Sequence, residues 1–317
     1  MNQNISMRRF AVLDIGTVTC RMLVADVDPN NIIHEITREY AIANLGEGVD
    51  ATHRLKPEAI ERVAKIVMRY LQILESLEGS SAVPTRIVAL ATSASRDAEN
   101  AGEFEARLRE LGVTLQVIPG TEEASLSFRG ATAEFPDENV IVIDVGGGST
   151  EVIAGSAGCD PAFIHSFDIG CRRVTERFLA SDPPATIELA SARSWIRAQM
   201  EPLLEPLCKH GDAARLVAVA GTATSVVSIR EKMEVYDRTR VHKAQVSRLQ
   251  LQEIGRRLAS IDLEQRRKVQ GLDPDRAPVI VAGLLILDEI MGLFQAESFT
   301  ASESDILQGV VLRAAVE

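Results

Sequence analysis

Residues 141–152 read VIDVGGGSTEVI. An apolar run carries Asp144 near its end, three glycines follow (Gly146, Gly147 and Gly148), and then come two hydroxyls and Glu151. Glycines directly after a buried strand let the backbone turn sharply and bring its N–H groups against an anion with no side chain in the way. The hydroxyls of Ser149 and Thr150 add donors. A phosphate suits such a loop, but a glycine-rich turn also serves a plain hairpin, and spacing alone puts the two readings nearly level. The carboxylates tip the balance. Phosphate beside Asp144 and Glu151 is repelled unless a hard cation lies between, and Mg²⁺ held by one or two carboxylates plus substrate phosphates meets that need. Asp14, at the end of a matching strand in the first half, offers a further carboxylate. One such acid is easily explained as a turn cap; three at equivalent strand ends are not.

Three other stretches have residue types suited to the same chemistry. In VIPGTEEASLSF (117–128), Glu122 and Glu123 follow a Pro-Gly turn at what reads as a helix start. The helix dipole favours acids there, and that reading leads on spacing alone; the alternative is a general base that takes a proton from attacking water. In ATSASRDAEN (91–100), Ser93 or Ser95 can cap a helix while Arg96 stands at its start, where a guanidinium can grip phosphate oxygens in two places. AVAGTATSVV (218–227) is a third small-residue turn after an apolar strand, suited to phosphate or to close helix-to-strand packing.

Elements of a mixed fold must position these residues. FAVLDIG (10–16), RMLVADV (21–27) and IIHEITREY read as three strands, and Pro57 opens a long helical pattern. RIVALAT (86–92), a helix at ENAGEFEARLREL, and TLQVIPG (114–120) continue the alternation that defines an α/β sheet. The pattern then restarts. VIVIDVGGGS, TEVIAGS and AFIHSFDIG repeat the three-strand opening, so that Asp144-Val145-Gly146 answers Asp14-Ile15-Gly16. After helices at ERFLA and TIELASARSWIRAQMEPLLEPL, LVAVAGTATSVVSI reads as strand and turn, and VSRLQLQEIGRRLASI as helix. The internal echo predicts two similar domains with the ligand site in the cleft between them. The expected domains are 1–134 and 135–302, divided near the polar FPDEN (135–139), with a closing helix over about 303–317 packing back on the first.

Bulk properties narrow the classes. At 317 residues the chain is long enough for two domains, and 46% hydrophobic with 25% charged residues is the make-up of a globular protein with an aliphatic interior. A formal net charge of −11 argues against general nucleic-acid binding, though not against a phosphate ligand in a local basic cleft. No apolar run approaches the ~20 residues of a membrane helix, and the first residues do not have a signal peptide's apolar core and cleavage site, so a cytoplasmic location is expected. Cys20, Cys159, Cys171 and Cys208 are scattered without CxxC spacing, which predicts reduced, mostly buried thiols rather than zinc or disulfides.

Taken in order, DIGTVTCRMLV, ATSASRDA, IPGTEEASLSFRGA, VIDVGGGSTEVI, FDIGCRRVTERF, VAGTATSVVSI, GLDPDRAPVIVAGLLIL and SESDILQGVV resemble the exopolyphosphatase and guanosine pentaphosphate phosphohydrolase (Ppx/GppA) family, from about Phe10 to Val311. The resemblance implies the actin-like ATPase and sugar kinase superfamily, with paired ribonuclease-H-like domains and an interdomain cleft. It implies Glu123 as the base that activates water and Arg96 as the group that neutralises the transferred phosphoryl. Asp144 and Glu151 become ligands for Mg²⁺, or alternatively Mn²⁺. Gly146, Gly147, Gly148 and Ser149 cradle the terminal phosphate, and Asp14, Gly16, Thr17 and Arg21 lie on a first phosphate loop. The reaction implied is hydrolysis of a terminal phosphoanhydride, of inorganic polyphosphate or of guanosine pentaphosphate, the latter tying it to the stringent response. A homodimer is the implied assembly.

Two departures from the family pattern stand out. The first loop commonly reads Asp-x-Gly-Ser-Asn-Ser, whereas here Val18 takes the place of the asparagine, at a cost of about 1 to 3 kcal/mol if a phosphate contact is lost. Longer members have an extra C-terminal helical domain, so a shorter groove and a preference for short polymers are expected. Arg172 and Arg173, or Arg266, Arg267 and Lys268, are candidate groove residues; for the second cluster a solvated helix face is the better reading. Exopolyphosphatase is the first reading, guanosine pentaphosphate hydrolase the second. A kinase of the same superfamily and a non-catalytic phosphate sensor, suggested by Val18, are the remaining alternatives.

Overall fold

A computed structural model describes residues 7–78, 83–208 and 214–316. The chain forms two compact units, Met1–Gly130 with Ile306–Glu317, and Ala131–Asp305. The polar stretch 135–139 lies inside the second unit. Among the described residues no helix is long and apolar enough to cross a membrane.

In the first unit β1 (Arg8–Ile15), β2 (Thr19–Val27) and β3 (Ile33–Ile42) form an antiparallel meander. After α1 (Val49–Thr52) comes α2 (Pro57–Glu78), with its proline at the first helical position, where a missing N–H costs least. Then follow β4 (Thr85–Ala91), α3 (Ser93–Asp97), α4 (Ala101–Glu110), β5 (Leu115–Val117) and α5 (Gly120–Thr132). β4 joins β1 in parallel and β5 joins β4, giving the order β3-β2-β1-β4-β5. β1 is apolar at every position from Phe10 to Leu13 because both its faces are covered. Ala11, Leu13 and Ile15 share one core with Ile60, Val63 and Val67 of α2; Phe10 and Val12 belong to another with Leu126 of α5.

The second unit repeats the plan. β6 (Asn139–Val145), β7 (Thr150–Ser156) and β8 (Phe163–Phe167) form the meander, followed by α6 (Cys171–Phe178), α7 (Thr186–Cys208), β9 (Arg215–Val219), α8 (Ala220–Arg230) and α9 (Arg238–Val241). β10 (Gln245–Ser247), α10 (Arg248–Ala259), α11 (Leu263–Arg266), α12 (Ile280–Leu293) and β11 (Ser298–Ala301) complete it. The sheet order is β10-β11-β9-β6-β7-β8. Without the edge strand β10 this is the first unit's order, so the duplication read from Asp-x-Gly extends to the topology of both sheets, each ribonuclease-H-like. α12 is apolar on nearly all sides and buried along almost its whole length, as a helix enclosed by α6, α7, α8 and α10 must be.

Local expectations fail at two places. Residues 220–230, expected as a turn, form α8, because seven of its small and aliphatic side chains are buried and burial outweighs the weak helix preference of Gly, Thr and Ser. The start of the helix expected at 246 is instead β10. Ser247 then caps α10, accepting from Gln250 N while Gln250 reaches back in a capping box. The cysteines also divide: Cys20 and Cys171 are buried free thiols, but Cys159 is exposed.

The chain's last helix, α13 (Ile306–Ala314), belongs to the first unit and packs on β1, β2 and β3. It also lies against α5. A methyl at Gly309 would overlap the Leu126 carbonyl, so only glycine lets the two helices approach this closely. Gly309→Ala is therefore expected to lower the unfolding free energy by at least about 1 to 3 kcal/mol, the usual cost of overpacking, read by denaturant titration. In the second unit, Asp288 of α12 is buried. Burial alone would raise its pKa, but donors from Arg248, Arg193 and Gln252 outweigh that and hold it below the usual aspartate range. A depressed carboxyl contributes stability above its unfolded pKa, about 3.9, and loses it as pH falls through the folded value. Asp288→Asn should thus melt at a lower temperature than wild type at pH 7, with the gap narrowing below about pH 4.

Candidate active site

Asp14 and Asp144 occupy equivalent places, each one residue before the end of the first strand of its meander. Asp14 faces Arg21 across β1 and β2; Asp144 faces Glu151 across β6 and β7. The turns that follow are built alike. Gly16 N donates to Thr19 O at 2.8 Å, and Gly146 N to Ser149 O at 3.0 Å. The four turn positions from Gly16 to Thr19 and from Gly146 to Ser149 are the two loops that the sequence marks as phosphate cradles.

In the first unit the strand pair neutralises itself. Arg21 donates from Nε at 3.0 Å and from Nη2 at 2.5 Å to one Asp14 oxygen. Thr17 is buried at 6% exposure, and its Oγ1 has no hydrogen-bond partner among the described residues. A buried hydroxyl left in this way costs about 1 to 3 kcal/mol unless a ligand or water meets it, which suits a loop built for an anion. Val18 stands differently. Its side chain is buried at 4% exposure, while its carbonyl accepts from Ala43 N and Asn44 N.

The same unit brings Arg96 and Glu123 together. Arg96 Nη1 donates to Glu123 Oε2 at 2.8 Å and to the Ile118 carbonyl at 2.9 Å, so one guanidinium ties α3 to the start of α5. Glu122 turns elsewhere and accepts from Arg313 of α13 at 2.5 Å. The adjacent acids, indistinguishable by spacing, thus have separate partners. Neither Ser93 nor Ser95 caps α3, whose N-cap is Thr92. Ser95, buried at 2% exposure, has an Oγ with no hydrogen-bond partner among the described residues.

In the second unit Asp144 and Glu151 are 7% and 1% exposed, directly opposed on the same face of the strand pair. Like charges so placed are destabilising, and burial strengthens the repulsion. The Ser166 hydroxyl donates to Glu151 at 2.7 Å, which eases the crowding in part. In the adjoining turn the carbonyls of Gly146 and Gly147 accept from the backbone of α6, and that of Gly148 from Arg173 Nε, whereas the N–H groups of Gly147 and Gly148 have no such backbone partner among the described residues. Thr150, expected as a ligand donor, is a correction: its Oγ1 donates to the Ile169 carbonyl at 2.5 Å, a structural bond.

The donor set fits a hard cation. Two carboxylates side by side supply the oxygen ligands that Mg²⁺ or Mn²⁺ prefers, and relieving their repulsion favours the metal's entry. Among the described residues there is no group of three or more His, Cys, Asp or Glu that could hold a metal, so a cation here would take its remaining ligands from water and phosphate. One residue near these loops escaped sequence reasoning. Arg276 is 6% exposed, and a methyl at Gly221, in the first turn of α8, would overlap its guanidinium. The glycine in GTATS makes room for that arginine, but nothing local to 276 announces the contact.

Val18 also bears on stability. Replacing it with asparagine buries an amide, so Val18→Asn should lower the unfolding free energy by about 1 to 3 kcal/mol without raising turnover. Faster phosphate release at unchanged stability would show the amide reaching a ligand.

A profile of the Ppx/GppA phosphatase family matches residues 23–316. The chain is 36% identical over 325 aligned positions to exopolyphosphatase 2 of Mycobacterium tuberculosis, covering 97% of this chain and 98% of the relative. Among solved structures, an exopolyphosphatase from Cytophaga hutchinsonii is similar with a TM-score of 0.86 at 25% identity, covering 97% and 98% of the two chains. The Ppx/GppA family member from Aquifex aeolicus gives 0.79 at 27% identity, covering 98% of each. Matched over most of its length by the family profile and by an exopolyphosphatase relative, the chain belongs to the Ppx/GppA phosphatase family.

Proposed function

We propose that this protein is a Mg²⁺-dependent exopolyphosphatase, removing the terminal phosphate of inorganic polyphosphate. The observation that carries the reading is the buried, directly opposed pair Asp144 and Glu151 at the mouth of a glycine turn with backbone donors to spare. Such a pair is a liability in a chain that binds nothing there; beside a cation and a phosphate it is an asset. Family membership and an exopolyphosphatase relative at 36% identity support the substrate class.

Each group then has a task. Glu123 takes a proton from water as the water oxygen forms its bond to the terminal phosphorus. The bridging P–O bond breaks, its electron pair leaving with the shortened polymer. In the first unit Arg96 trades its contact with Glu123 for phosphoryl oxygens as charge spreads over them; in the second, the N–H groups of Gly147 and Gly148 are the donors suited to phosphate. Thr17 Oγ1 supplies a further donor. Asp144 and Glu151 would hold Mg²⁺, which when bound neutralises phosphate charge.

Phosphate release from short polyphosphate, long polyphosphate and guanosine pentaphosphate, with Mg²⁺ and after its removal by a chelator, tests the reading. Glu123→Gln is expected to retain the fold while cutting turnover by about 10² or more, the scale of a lost general base. Chelation is expected to abolish release. Faster use of the nucleotide would change the substrate, phosphate found on an acceptor hydroxyl would make the protein a kinase, and unchanged release by Glu123→Gln would remove that residue from its role.

A further inference from the structure

The stretch FDIGCRRVTERF supplies the back wall of the glycine loop. Gly146 O accepts from Cys171 N at 2.9 Å; Gly147 O accepts from Arg172 N at 2.9 Å and Arg173 N at 3.4 Å; Gly148 O accepts from Arg173 Nε at 3.0 Å. All three glycine carbonyls are thus drawn toward the start of α6. A peptide plane carries its N–H opposite its C=O, so fixing the carbonyls on one side aims the following N–H groups to the other. Gly170 makes the approach possible, since a methyl there would overlap the Gly147 carbonyl and the Gly148 nitrogen. The Thr150 to Ile169 bond anchors the segment just before Gly170 to the strand that leaves the loop.

The sequence invites a different role for the two arginines, as cations that track a long polyanion. In the structure Arg172 Nη1 pairs with Glu176 at 3.2 Å, one turn along α6, and Arg173 spends Nε on the loop itself. We infer that Arg173 and Gly170 are positioning residues for the phosphate loop: the backbone at the start of α6 sets the Gly147 and Gly148 N–H groups through the carbonyls of Gly146 and Gly147, and Arg173 Nε, on the Gly148 carbonyl, sets the Ser149 N–H. The inference rests on reading that loop as the one that holds the reacting phosphate. A group that positions the loop acts on every substrate through its terminal phosphate, whereas a groove cation acts on chain length.

The experiment measures kcat and KM for tripolyphosphate and for a long polyphosphate, with thermal unfolding in parallel, for wild type, Arg173→Ala, Arg173→Lys, Gly170→Ala and Asp144→Asn. Arg173→Ala and Gly170→Ala are expected to lower kcat by about 10-fold to 100-fold, the scale of a slight misplacement, and by the same factor on both substrates. Arg173→Lys, able to donate one bond to the Gly148 carbonyl, should recover part of the loss at wild-type melting temperature, which keeps the test open if the alanine variants fold poorly. A loss confined to long polyphosphate and expressed in KM would overturn the inference in favour of a groove contact. So would wild-type kcat in Arg173→Ala while Asp144→Asn is inactive. Full activity of Asp144→Asn would instead sink the reading of the loop on which the inference depends.

Discussion

Two buried carboxylates face each other across β6 and β7, and much of the second unit is explained by the need to keep them there. At the separation of a cross-strand pair their repulsion is on the order of a few kcal/mol even at a generous effective dielectric. At the matching place in the first unit Asp14 faces Arg21, which donates to it. The two units share one strand plan but differ at this register position. Facing the strand-end aspartate, the first unit has an arginine and the second a glutamate.

Holding such a pair requires a rigid frame. β6 is flanked by β7 on one side and parallel β9 on the other, and its apolar residues are buried, so the register that opposes Asp144 to Glu151 cannot slip without turning them outward. The turn beyond is fixed by its own Gly146 to Ser149 bond and by α6 behind it. In the first unit the same economy appears at α5, where Gly309 lets α13 lie against the helix backbone and Arg313 draws Glu122 aside, leaving Glu123 to Arg96.

The ion pairs around these residues are of two kinds. The Arg96–Glu123 pair is mostly buried, and the same guanidinium also donates to the Ile118 carbonyl. The pairs of Asp288 and Glu289 of α12 with Arg193 of α7, and of Asp288 with Arg248 of α10, serve the packing of those helices around α12. Distance alone does not separate the two kinds. Their surroundings do: Arg96 joins α3 to the start of α5, whereas Arg193 reaches the buried Asp288 from a side chain partly open to solvent.

Periodicity and glycine placement determined the strands, the long helices, the repeat of Asp-x-Gly and the positions of both loops, because strand burial on two faces and a turn needing close backbone approach each leave a local mark in sequence. Motif order determined the family. Tertiary structure alone decided the rest. That 220–230 is a helix depends on what buries it; that Glu122 and Glu123 part company depends on Arg313, almost two hundred residues away. That Arg173 serves the loop, that Thr150 binds Ile169, and that Arg276 lies on Gly221 are likewise matters of which distant atoms arrive at a given point. A residue's type and spacing say what it can donate or accept; only the fold supplies the partner, and the partner fixes its task.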